Sequence, residues 1–185
     1  MLKSDIKEMT ETGRLKLKKW DVFWHYSPAI FFLTVPIINL YFIIEARLTN
    51  NEIVYERIID GLGLVWVFLS LSIIGFVYKY WTLKFKVLDQ KVESKHFKNA
   101  IELTAKELDW RIIRNEGNYL FAYSWNTLFS WGEQITIIKK GNKVIINSIC
   151  KLNQPSFFGA NQKNVDTFKR NLKASVQQST VVKNK

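Results

Sequence analysis

Two membrane-crossing helices forming a hairpin, followed by a small cytoplasmic α+β domain, is the fold class this sequence predicts. Three observations predict it. Val22 to Ile44 is 23 residues without a charged side chain, and Gly61 to Tyr78 is a second such run of 18. Beyond Trp81, helical and strand periodicities alternate in short segments bounded by turn residues.

The leader, residues 1–21, is basic, carrying Lys3, Lys7, Arg14, Lys16, Lys18 and Lys19. The first apolar run reaches roughly 34 Å as a helix at 1.5 Å per residue. That exceeds a hydrocarbon core of about 30 Å. A cleaved signal peptide has a shorter apolar stretch and would not be followed by a second span. Pro28 and Pro36 lie inside this run, where each removes a backbone donor, so a kink or local break is expected. The second run completes its last turn at Lys79, Tyr80 and Trp81. Trp20, Phe23, Trp24, Tyr26, Tyr41, Tyr78, Tyr80 and Trp81 mark the run ends, as in an interfacial aromatic belt. The hairpin therefore occupies residues 22–81. Its connection, residues 45–60, carries two basic residues against four acids, and Ile53, Val54, Ile58 and Ile59 recur at the spacing of a small amphipathic turn.

Basic residues near the spans set the orientation. The leader has six, Lys79 to Lys98 has another six, and the connection has only Arg47 and Arg57. Excess Lys and Arg stays in the cytoplasm, so both termini are expected there, with the connection outside. Abundant Lys, Asn and Ile point to an AT-rich bacterial genome, hence to the bacterial inner membrane.

Residues 82–93 read as a connector, although Leu83, Phe85 and Val87 alternate with polar residues as in a strand. The domain occupies residues 94–175. Ser94 offers an N-cap to an amphipathic helix with Phe97, Ala100, Ile101, Ala105 and Leu108 on one face. Four strands follow: Trp110–Arg114, Tyr119–Ser124, Gln134–Lys140 and Lys143–Cys150, the last two joined by Gly141-Asn142, which suits a primed turn. Asn161 to Ala174 returns to helical spacing through Val165, Phe168 and Leu172. Helix, four-stranded antiparallel sheet and helix make a two-layer sandwich. Residues 176–185 lack periodicity and are expected to be disordered.

The catalytic inventory is thin. With Cys150 as the sole cysteine and His25 and His96 the only histidines, no disulfide is possible and zinc, haem or iron–sulfur chemistry is not supported. Cys150 closes an apolar alternation and reads as a structural cysteine rather than a nucleophile paired with His96. No phosphate-binding glycine loop is present. No catalytic residue, metal ligand or cofactor is assigned, and the chain is read as a non-enzyme.

Two loops stand out. Ser124 to Glu133 contains Trp125, Phe129 and Trp131, and Gln154 to Asn161 contains Phe157 and Phe158. Aromatics in connections either close the core or form a rim that binds lipid or a partner. These five are the candidate partner- or lipid-binding residues. The net charge of +11 gathers in the tail, where Thr82 to Lys185 has 18 basic and 8 acidic residues. Lacking a nucleic-acid-binding signature, that excess is assigned to anionic headgroups, with Lys16, Lys18, Lys19, Lys79, Lys84 and Lys86 as contacts. The expected role is a membrane module that binds and regulates or scaffolds a membrane protein partner, or self-associates, without specific nucleic-acid binding. A membrane-bound sensor of lipid or a small ligand is the alternative, and a small membrane enzyme a third.

Overall fold

A computed structural model describes residues 3–89, 92–125, 132–150 and 159–183, with side chains in the last helix as far as residue 177. Among the described residues there are six helices and one antiparallel sheet of five strands. The chain divides into two compact units, one made of Met1–Leu17 together with Leu83–Lys185 and the other of Lys18–Thr82.

The second unit holds α2 (Lys19–Leu48), α3 (Glu52–Asp60) and α4 (Leu62–Thr82). α2 and α4 are long and apolar enough to cross a membrane, and only 11% and 6% of their most apolar stretches are buried. The core helix of a soluble protein is mostly buried, and these two are not. α2 runs through Pro28 and Pro36 without a break in the helix. Pro28 leaves the Trp24 carbonyl without its backbone donor, and the Ser27 hydroxyl donates to that oxygen at 3.3 Å. The expected break is therefore absent. α3 confirms the amphipathic turn as nine helical residues, capped by the Asn51 side chain, which accepts from the Val54 amide at 3.2 Å.

α2 and α4 meet at small residues. The Ser72 hydroxyl donates to the Ala29 carbonyl at 2.8 Å, with both residues buried. A Cβ on Gly75 would lie 3.1 Å from that of Ala29, closer than ordinary van der Waals contact. Tyr26 stacks on Phe76, and Phe32 meets Phe68. The contact is thus backbone-close at Ala29 and aromatic on either side. Gly75→Leu should weaken the pair by about 1–3 kcal/mol, because a branched side chain has nowhere to go. A lower melting temperature in detergent, with Gly75→Ala in between, is the expected measurement.

The first unit is built on the sheet, whose strand order is β1-β5-β4-β3-β2. β1 is Lys86–Asp89, β2 Arg111–Asn115, β3 Tyr119–Tyr123, β4 Glu133–Lys140 and β5 Lys143–Cys150. The expected count of four strands is corrected to five: the segment read as a connector supplies β1, which pairs with β5 from Lys86↔Ile146 to Asp89↔Lys143. β4 and β5 pair along their whole length and turn at Gly141, where φ is +57°, a value a primed turn requires and glycine adopts without strain.

Strand alternation sends two sets of side chains to opposite faces. Leu120, Ala122, Ile135, Ile137, Val144 and Ile146 pack with Phe97, Ala100 and Ile101 of α5 (Ser94–Glu107) and Val165, Phe168 and Leu172 of α6 (Ala160–Lys183). The other face carries Tyr119, Ile138 and Ile149, which pack with Phe85, Leu15 and Met9, the last from α1 (Lys3–Thr12). The expected two layers are therefore corrected to three, with helices on both faces. The leader is not merely a basic segment, since its first helix covers the second face.

α5 starts one residue earlier than expected: Glu93, not Ser94, holds the N-cap position, without a side-chain bond, and Ser94 is the first helical residue. At its other end Asp109 takes the left-handed conformation at φ +50°, and the Trp110 amide reaches back to the Ala105 carbonyl at 2.9 Å. That is a Schellman closure with aspartate in the place glycine usually takes. α6 extends to Lys183, past the expected end at Ala174 and into residues expected to be disordered.

Candidate functional site

The aromatic loop between β3 and β4 has a closed base. The Ser124 amide donates to the Glu133 carbonyl at 2.9 Å, the Glu133 amide to the Ser124 hydroxyl at 2.7 Å, and that hydroxyl also meets the Glu133 carboxylate. Glu133 is buried there. Trp125, immediately beyond this base, is 58% exposed and so does not close the core. Phe129, Trp131, Phe157 and Phe158 lie outside the described residues.

The six candidate lipid-contacting lysines separate. Lys16 is held by two acids of α1, with Nζ 2.9 Å from Asp5 Oδ1 and 2.6 Å from Glu8 Oε2. Those carboxylates raise its pKa above the usual lysine value. The Lys86 ammonium donates to Gln162 Oε1 on α6. Lys18, Lys19 and Lys84 are exposed, and Lys79 is half-buried in the last turn of α4. The Lys79 carbonyl is 3.0 Å from His25 Nε2, a ring that ties α2 to the end of α4 and reads as structural. Exposed Trp20, Trp24, Tyr80 and Trp81 flank the lysines in sequence, giving each helix end both an amphipathic ring and a charge.

Cys150 belongs to a polar chain joining β5 to α6. Trp110 Nε1 donates to Asn164 Oδ1 at 3.0 Å, Asn164 Nδ2 to the Ser148 hydroxyl at 3.1 Å, that hydroxyl to Asn161 Oδ1 at 3.1 Å, and Asn161 Nδ2 to Cys150 Sγ at 3.8 Å. These four bonds run between neutral amide, hydroxyl, indole and thiol groups and fasten α6 to the sheet. His96 sits on α5 and is no part of this polar chain. Among the described residues there is no cluster of three or more His, Cys, Asp or Glu that could hold a metal ion.

α5 and α6 are further joined by Arg170, which donates to Glu107, and by Asn171 Nδ2, which donates to Glu107 Oε2 at 3.2 Å and to Thr104 Oγ1 at 3.1 Å. Arg170 and Asn171 hold the Glu107 carboxyl below its usual range. On the second face, burial pushes the Tyr119 phenol up to about 12 from 10. Tyr119 is only 2% exposed. A raised acid pKa stabilises the fold fully below the unfolded value, and that stabilisation is lost as pH rises from 10 to about 12. Alkaline titration followed by unfolding should show roughly 2 kcal/mol lost in that window relative to Tyr119→Phe, whose second face has no phenolate to bury.

No protein-family model matches the chain, and no curated protein matches it.

Proposed function

We propose that this is a non-enzymatic integral membrane protein in which α2 and α4 cross the bacterial inner membrane as a hairpin and hold the α+β unit at its cytoplasmic side. There the unit binds and regulates or scaffolds a membrane protein partner. One observation carries the reading: two helices of 30 and 21 residues have only 11% and 6% of their most apolar stretches buried. Lipid is the medium that makes such exposure favourable. Exposed Lys18, Lys19 and Lys84 beside the span ends, with few basic residues between the spans, support cytoplasmic termini. Trp125, exposed on a closed loop base, supports the partner rim.

Membrane flotation and a detergent pull-down test this reading. Full-length protein should float with vesicles and resist alkaline extraction. Combined Trp125→Ala and Trp131→Ala should reduce recovery of co-purifying membrane protein roughly tenfold or more, the scale of one lost aromatic anchor, while the circular dichroism spectrum is unchanged. A chain that stays in the supernatant as a compact monomer without detergent would remove the membrane assignment, and undiminished recovery would remove the rim.

A further inference from the structure

The helix that covers the second face of the sheet is short, and its fastening lies beside the membrane-spanning segment in sequence. α1 has ten residues, of which Met9 is fully buried and Ile6 partly, so little apolar area holds it down. A helix of that length has no stability of its own in water. Among the contacts that hold it is the clasp from Lys16 to Asp5 and Glu8. The Lys16 side chain is 42% exposed, so anions in solution can reach the ammonium that makes the clasp.

We propose that α1 is a displaceable cover on the second face, latched by Lys16, and that anionic lipid headgroups loosen the latch by competing with Asp5 and Glu8 for the lysine. The proposal rests on the membrane reading above. Under that reading Lys16 is six positions before Val22, where the uncharged run begins. Lys19 to Val22 rises about 4.5 Å along α2. The three residues from Lys16 to Lys19 reach at most about 10 Å. A headgroup layer roughly 6 Å thick and the lysine's own length close the remaining distance. Many headgroup phosphates around one ammonium compete with the two carboxylates by number, and juxtamembrane lysines are drawn to anionic leaflets. Displacement exposes Met9, Leu15, Tyr119, Ile138 and Ile149, a patch that is dry when α1 is docked.

Hydrogen exchange on the full chain in vesicles tests this. Two compositions are compared, phosphatidylcholine alone and phosphatidylcholine with a phosphatidylglycerol fraction. Amides of α1 should exchange roughly fivefold faster in the anionic vesicles, the scale of one exposed ion-pair cluster. Lys16→Gln should show the faster rate in both, and amides of β4 and β5 should stay protected throughout, which shows that the sheet is intact. Equal α1 rates in both compositions, or a Lys16→Gln protein still responding to phosphatidylglycerol, overturns the latch. Faster exchange in β4 and β5 along with α1 overturns it too, because the cover would then not move by itself. Failure to float with either vesicle is a different result and overturns the membrane reading instead.

Discussion

Removing residues 18–82 and joining Leu17 to Leu83 through an inserted Asn-Gly pair should give a water-soluble protein that keeps all five strands. The α+β unit is built from both sides of the apolar segment, with Met1–Leu17 contributing as well as Leu83–Lys185. Its two ends already meet. Arg14 bridges Lys84 in antiparallel fashion, the Leu15 amide donates to the Leu83 carbonyl at 2.8 Å, and the Phe85 amide donates to the Gly13 carbonyl at 2.9 Å. After excision Lys16, Leu17 and the inserted pair form a loop of about four residues across a bridge that exists without it, an ordinary connection length. Among the described residues, neither core cluster and no strand of the sheet includes a residue of 18–82. Segments inserted where chain ends lie close can be removed without unfolding the host. Recovery in the supernatant without detergent, a mixed α/β circular dichroism spectrum and one cooperative unfolding transition are the expected results. A truncation that starts at Leu83, and so also lacks α1, should by contrast expose Tyr119, Ile138 and Ile149 and aggregate. A soluble, well-packed truncation together with an insoluble excision protein would reverse this account of the unit.

The sequence made some of this architecture plain and concealed the rest for definite physical reasons. The membrane-length helices are legible because lipid demands long uncharged runs, a signal that needs no tertiary context. Likewise β3 to β5 alternate apolar residues over five to eight positions, and the Gly141-Asn142 turn lies where backbone sterics call for glycine. α1 is hard to read because a ten-residue helix with Met9 buried and Ile6 partly so carries hardly any periodicity, and its role appears only once a second apolar sheet face needs covering. That second face was itself visible: Tyr119, Phe121 and Ile145 are apolar residues on the parity opposite to the first core. β1 carried a strand signal in Leu83, Phe85 and Val87, yet an edge strand of four residues directly after a helix is hard to separate from a continuation of that helix. The lysines show the limit of counting charges. Lys16 and Lys18 look alike in sequence, but only the first has two carboxylates from an earlier turn of chain folded back upon it.

Phe168→Ala in the excised protein should cost about 3–5 kcal/mol, the largest single-residue loss expected here. Phe168 is fully buried and meets Phe97 edge to face at a centroid distance of 6.4 Å, so truncation removes both buried area and an aromatic contact. α5 and α6 also meet through Asn99 Nδ2 to the Ser175 hydroxyl at 3.1 Å and through Glu107, Arg170 and Asn171, and these polar contacts prevent the helices from collapsing into the space left behind. A cavity that cannot close keeps its full penalty. With a total stability of about 5–15 kcal/mol for a domain of this class, the variant loses a third or more of its margin. In urea, with a slope of about 1–3 kcal/mol per molar, the midpoint should fall by roughly 2 M. Leu103→Ala, at an exposed position of α5, should change it by less than about 0.5 kcal/mol. Met9→Ala discriminates between the two cores. A helix that undocks locally before the sheet unfolds can contribute to global stability no more than its own docking free energy, so the Met9 substitution should move the urea midpoint far less than Phe168→Ala while speeding exchange at α1. Equal midpoint shifts would mean that the two faces of the sheet unfold as one, and that α1 is as integral to the unit as α6.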